Sequence, residues 1–125
     1  MKILIINPNS DVEMTEKIQK SADSYARGEF KVVCKSIEEA PKFIETYEDQ
    51  IKAASGMLNL VREYEFEYDA FIIACHCDPN IDLLKEITDK PVIGIGEASM
   101  KIASMLGHSF SVVSTDKHSI PNKEA

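Results

Sequence analysis

The side chains best suited to chemistry are concentrated in one segment, Cys75-His76-Cys77-Asp78-Pro79, which ends the apolar run Phe71-Ile72-Ile73-Ala74. A β-branched apolar run of this length reads as a buried strand, and the Asp-Pro step as the loop that leaves it. Cys75 then stands at the carboxyl edge of a sheet, where open α/β folds place their ligands. Two readings of this thiol follow. It is a small buried hydrophobe, as free cysteine often is. Or it is a reactive thiolate, favoured by nearby helix N-termini and able to act as nucleophile or general base. Position alone leaves the two level.

His76 and Cys77 raise a metal reading. Zinc sites built on paired cysteines use wider gaps and a second ligand pair. Cys34 stands alone in another apolar run, and His108 and His118 are scattered, so no metal is expected. Strand alternation would send Cys75 and Cys77 to one face and His76 to the other. A disulfide between Cys75 and Cys77 is not expected either.

Three further segments border the same rim. Asn7-Pro8-Asn9-Ser10 follows the first apolar run. It reads as an ordinary turn with an N-cap, or as a cradle for a carboxylate or imide oxygen at a helix start. Gly94-Ile95-Gly96-Glu97 lacks the third glycine of a dinucleotide fingerprint. Its simpler role is a tight strand-to-helix turn with Glu97 in the first helical turn. Ser114 and Thr115 would add hydroxyl donors to the rim or cap the next turn.

These segments need elements to hold them. Strands are expected over 2–7, 30–36, 69–75, 91–95 and 110–115, and helices over 11–26, 45–65, 81–88 and 96–106. Pro41 interrupts the ambiguous stretch 38–47. On the long helix, Ile51, Ala54, Met57, Leu58 and Val61 are expected to share one buried face. Strict β/α alternation with apolar strands implies an α/β fold, a parallel sheet covered by helices on both faces.

The 125 residues suffice for one domain with a real core, and 44% hydrophobic against 28% charged residues excludes a disordered chain. A net charge of −7 argues against nucleic-acid or anionic-membrane partners, which need local Lys and Arg excess. No apolar run reaches the length of a membrane span, and no signal-peptide pattern opens the chain. Three cysteines without a secretion signal point to reduced thiols in a cytoplasm.

Four segments, Ile5 to Ser10, Ala74 to Pro79, Pro91 to Ala98 and Leu106 to Thr115, resemble in their order the aspartate/glutamate/hydantoin racemase superfamily, most closely its hydantoin racemase branch. Together they span nearly the whole chain. The resemblance implies a cofactor-independent isomerase with two pseudo-symmetric α/β lobes and an active site between them. One cysteine from each lobe flanks the stereocentre; one thiolate removes the α-proton while the opposite thiol delivers another. Inverting a carbon acid requires this pairing of acid and base, together with donors for the developing carbanion. Cys75 would be the first-lobe catalytic cysteine. Asn7, Pro8, Asn9 and Ser10 would anchor a small substrate bearing a carboxylate or a hydantoin ring. His76, where the family carries a non-ionisable residue, and Thr115, at the loop opening the second lobe, complete the expected substrate-contacting set.

The second cysteine is missing, because Cys34 lies within the second strand of the same lobe. The family pattern continues for about another lobe. The chain therefore reads as a three-layer αβα first lobe with a parallel four-stranded sheet (1–108), followed by a fifth strand that begins a second lobe (109–125). It is expected to be inactive or nearly so alone and to form homo-oligomers, with the fifth strand pairing across chains. A decarboxylase or cis–trans isomerase of the same superfamily, or a non-catalytic module that holds a small carboxylate, are the alternatives. Inversion by the chain alone, abolished by Cys75→Ser, would overturn the expectation of inactivity.

Overall fold

The computed structural model describes residues 1–114 and Lys117. Strand β1 (Lys2–Ile6) buries Leu4, Ile5 and Ile6, so both of its faces meet core. Burial on both faces is the mark of a parallel strand between helical layers. Around it lie β2 (Lys31–Lys35), β3 (Ala70–Ile73) and β4 (Val92–Gly94), all parallel, in the order β2-β1-β3-β4. Ile5 stands opposite Cys34 on one side and Ile72 on the other, and Ile73 stands opposite Gly94. The connecting helices are α1 (Val12–Ala26), α2 (Tyr47–Tyr64), α3 (Ile81–Ile87) and α4 (Ile95–Leu106).

Strand alternation divides the core into two layers. Leu4, Ile6, Phe71, Ile73 and Val92 meet Met57 and Val61 of α2 and Leu84 of α3. Ile3, Ile5, Val32 and Ile72 meet Ile18, Ala22 and Ala26 of α1. This is the expected three-layer α/β lobe. On α2 the buried face is Ala53, Gly56, Met57 and Val61, whereas Ile51 is 73% exposed. Small residues win that face because the helix approaches closely; an added Cβ at Gly56 would overlap the Ile37 side chain.

The expected fifth strand does not form over the residues described. Residues 107–114 carry no strand, and Val113 is 97% exposed. A strand is held by a neighbour's ladder, and no described strand pairs with this segment. Thr115 lies outside the described residues. Near this end the surface remains apolar, with Ile93 on β4 and Ile102, Met105 and Leu106 on α4 exposed.

The free edge of β2 is managed by a side chain. Gln19 of α1 donates Nε2–H to the Val32 carbonyl (2.9 Å) and accepts from the Cys34 N–H (2.7 Å). A glutamine amide here does the work of a neighbouring strand, and it blunts an edge that would otherwise template aggregation. Gln19→Leu keeps the volume and removes both bonds, so chemical denaturation should show a loss of about 1–3 kcal/mol.

Candidate active site

Adjacent strands β1 and β3 send their chains outward in opposite directions along the sheet, β1 by way of α1 to β2 and β3 by way of α3 to β4. Such a switch point opens a crevice at the carboxyl ends of the strands. The loops that flank it are 7–11 and 74–80.

The first loop is a rigid corner. Asn7 prolongs the ladder by donating its N–H to the Lys35 carbonyl (2.8 Å). Its side-chain amide donates to Thr15 Oγ1 (3.0 Å). Asn9 Oδ1 accepts the Asp11 N–H (2.9 Å), while Asn9 Nδ2 reaches Met14 Sδ (3.4 Å). Asp11 caps α1 by accepting from Met14 N–H (3.1 Å). From outside the loop, Ile37 N–H donates to the Asn9 carbonyl (3.0 Å) and Ser10 N–H to the Pro41 carbonyl (3.1 Å). Asn7, Pro8 and Asn9 are buried and Ser10 is half-buried. The asparagine amides are thus spent on the shape of the loop, and Ser10 is the residue of the four with most exposure.

The second loop carries the thiols. Ala74 N–H still donates to the Ile6 carbonyl (2.8 Å), so Cys75 leaves the sheet immediately beside the end of β1. Asp78 N–H then closes a turn onto the Cys75 carbonyl (3.0 Å). The turn brings Cys75 Sγ and Cys77 Sγ to 3.4 Å. His76 lies apart, its Nε2 at 3.2 Å from Ser99 Oγ on α4. Asn80 ties the far end of the loop to α2 by donating to the Gln50 carbonyl (2.7 Å). An open groove of about 510 Å³, lined in part by Gln50, Cys77, Asp78, Asn80 and Asp82, adjoins the loop on the Cys77 side.

Asp78 is the residue that sequence reasoning passed over. It adopts a left-handed conformation (φ 48°), and its carboxylate accepts from both Gly96 N–H (2.9 Å) and Glu97 N–H (2.7 Å). It therefore caps α4, whose own N-cap, Gly94, has no side chain. Added Cβ atoms would overlap the Asp78 carboxylate at Gly94 and the His76 carbonyl at Gly96. The Gly-x-Gly spacing thus serves close approach by a neighbouring loop, and read together with Asp78-Pro79 it was the signal available. Glu97 is held by Lys85 Nζ (3.1 Å) on α3.

The hydrogen bond to Cys75, then burial, hold the Cys77 thiol far above the ordinary thiol range. Burial alone pushes Cys34 up to about 11. Cys34 is remote from the crevice in chemistry as well, its backbone N–H bound to Gln19 on the far edge of the sheet. Among the described residues, no group of three or more His, Cys, Asp or Glu side chains could hold a metal ion. No described helix is long and apolar enough to cross a membrane.

The sequence profile of the Asp/Glu/hydantoin racemase family matches residues 3–124. This chain belongs to that family. It is 44% identical over 114 residues to hydantoin racemase of Pseudomonas sp. (strain NS671), covering 90% of this chain and 46% of that protein. Against hydantoin racemase of Paenarthrobacter aurescens it is 35% identical, covering 91% and 49%. The fold superposes on allantoin racemase from Klebsiella pneumoniae with a TM-score of 0.91 at 33% identity, covering 99% of this chain and 51% of that one. This racemase-family chain spans about half the length of the curated relatives it matches.

Only thiolate reacts with alkylating agents. Raised pKa values mean that Cys34 and Cys77 stay protonated at neutral pH and that Cys34 becomes reactive only as pH rises toward about 11. Iodoacetamide at neutral pH, read by peptide mass spectrometry, should label Cys75 first. Equal slow labelling of all three would remove the case for a reactive thiol.

Proposed function

We propose that this chain contributes one catalytic face of a cofactor-independent racemase acting on hydantoin-like substrates by proton transfer between two thiols. The observation that carries the reading is Cys75: half-buried, at the carboxyl end of β3, beside the β1 corner and in contact with a second thiol. In the proposed reaction the Cys75 thiolate takes the α-proton. The C–H bond breaks, an S–H bond forms, and the electron pair moves into the adjacent carbonyl. A thiol on the opposite face then donates its proton to the same carbon, and that thiol comes from the part of the relatives' length that this chain does not span. Cys77 cannot serve in its place, because it lies on the same side as Cys75. The Ser10 hydroxyl supplies a donor for the developing charge, whereas His76 is turned to Ser99 and the Thr115 expected in this role lies outside the described residues.

A hydantoin ring is favoured over a free amino acid because relatives named as hydantoin racemases cover most of this chain, and allantoin, named for the structural neighbours, contains that ring. The buried asparagines support the loop role: a corner whose amides are satisfied internally is preorganised, and preorganisation is what orients a substrate. The exposed apolar residues of β4 and α4 support association with a further lobe or chain.

A graft tests the proposal. Replacing the matching half of the Pseudomonas hydantoin racemase with residues 1–114 should give a folded chimera that inverts 5-substituted hydantoins, followed by polarimetry. Cys75→Ser in that chimera should lower the rate by about 10³-fold or more. A folded chimera with no inversion, or one indifferent to Cys75→Ser, sinks the reading; inversion of free amino acids alone would reassign the substrate.

A further inference from the structure

The Cys75–Cys77 contact has no counterpart in the two-thiol reaction, which needs its thiols on opposite faces. Alternation along a strand would have placed the two on one face at a distance. Instead, the turn closed by Asp78 N–H onto the Cys75 carbonyl folds them to 3.4 Å, within hydrogen-bond range for sulfur.

We propose that Cys77 is a positioning residue that donates its S–H to the Cys75 sulfur, so that the pair shares one proton and Cys75 carries the thiolate. The inference rests on the reading of Cys75 as the reactive thiol, and it adds what makes that thiol reactive. Two thiols this close cannot both ionise cheaply, so their protons leave in two separated steps that belong to the pair. The first departs more easily than from an isolated thiol, because the remaining S–H stabilises the new anion. The second is held, in keeping with the strongly raised Cys77 thiol.

Other ionisable groups around the loop are already engaged or act the opposite way. Both Asp78 carboxylate oxygens accept N–H groups of α4, and the residual charge works against ionisation of the neighbouring thiol. His76 is bonded to Ser99, and Glu97 on α4 is neutralised by Lys85 on α3. Asp82 of α3 and Tyr47 of α2 line the adjoining groove and bring no cation. Asp11, at the start of α1, is committed to its helix cap. None of these groups is a cation set against Cys75, and the Cys77 S–H stands within hydrogen-bond range of its sulfur.

Site-resolved iodoacetamide labelling across a pH series tests this on the unmodified chain, Cys77→Ala and Cys77→Ser. Alanine removes the donor, so the Cys75 labelling midpoint should rise by about one pH unit and the rate at neutral pH should fall about tenfold. Serine keeps a donor of similar size and should restore most of the difference, which a purely space-filling role would not do. An unmoved midpoint in Cys77→Ala, or a serine variant that behaves like alanine, overturns the proposal. Should the variants fail to fold, ultraviolet thiolate absorbance of the chain carrying only Cys34→Ser decides: two well-separated steps support the pair, and coincident steps overturn it. The two readings fail distinguishably. If Cys75 labels no faster than Cys34, the racemase base is lost along with its partner; if Cys75 is fast but indifferent to Cys77, only this inference falls.

Discussion

The thiol side of the crevice is referred to one cap, the Asp78 carboxylate on the Gly96 and Glu97 amides in the first turn of α4. A helix N-terminus carries unsatisfied N–H groups and a partial positive charge, and α4 begins at a glycine that offers neither side chain nor bulk. The neighbouring loop fills that place. To do so it must pass within contact of Gly94 and Gly96, turn through left-handed conformations at Asp78 and Asn80, and bend back on itself at Cys75. The thiol geometry is a by-product of this closure. A loop that merely left the strand would separate the sulfurs; a loop that must deliver a carboxylate to α4 folds them together.

The same cap solves an electrostatic problem. A carboxylate beside a thiol, as Asp78 is beside Cys77, opposes its ionisation, and the chain as a whole is acidic. Charge placed on two N–H donors at a helix N-terminus is offset by the dipole and by the hydrogen bonds, so most of its field is spent there. The sheet order makes the arrangement useful. With β1 and β3 adjacent and their chains diverging, the capped loop faces the Asn7–Ser10 corner across a switch-point crevice, and each loop is anchored from outside by a different element, α2 for the thiol loop and the 37–41 segment for the corner.

How much of this was legible in the sequence follows from the range of each interaction. The four strands and their helices were readable because parallel strands buried on both faces leave continuous apolar runs. Cys75 at a strand's carboxyl end was readable for the same reason, although β3 stops at Ile73 and strand alternation therefore does not govern the thiols. Ile51 misled because hydrophobicity ranks it above Ala53 and Gly56, whereas the helix was packed by closeness of approach and small residues. The 110–115 segment misled because a strand's existence depends on a neighbour, and its apolar pattern does not state one.

The asparagines of the first loop show why site residues are harder to read than folds. Their type suits a ligand cradle and a turn equally, and the difference is set by partners many residues away, at Thr15, Ile37 and Pro41. With those partners present, Asn7 and Asn9 hold the backbone still instead of reaching out. This division of labour is physically sensible for carbon-acid chemistry, where donors must stand ready before charge develops and reorganisation during the reaction would cost rate. A buried amide network keeps the corner fixed on one side of the crevice, and the Asp78 cap keeps the thiol loop fixed on the other. In the proposed reaction the reacting groups then need only small side chains, a hydroxyl and a thiol, mounted on two loops that neither has to position.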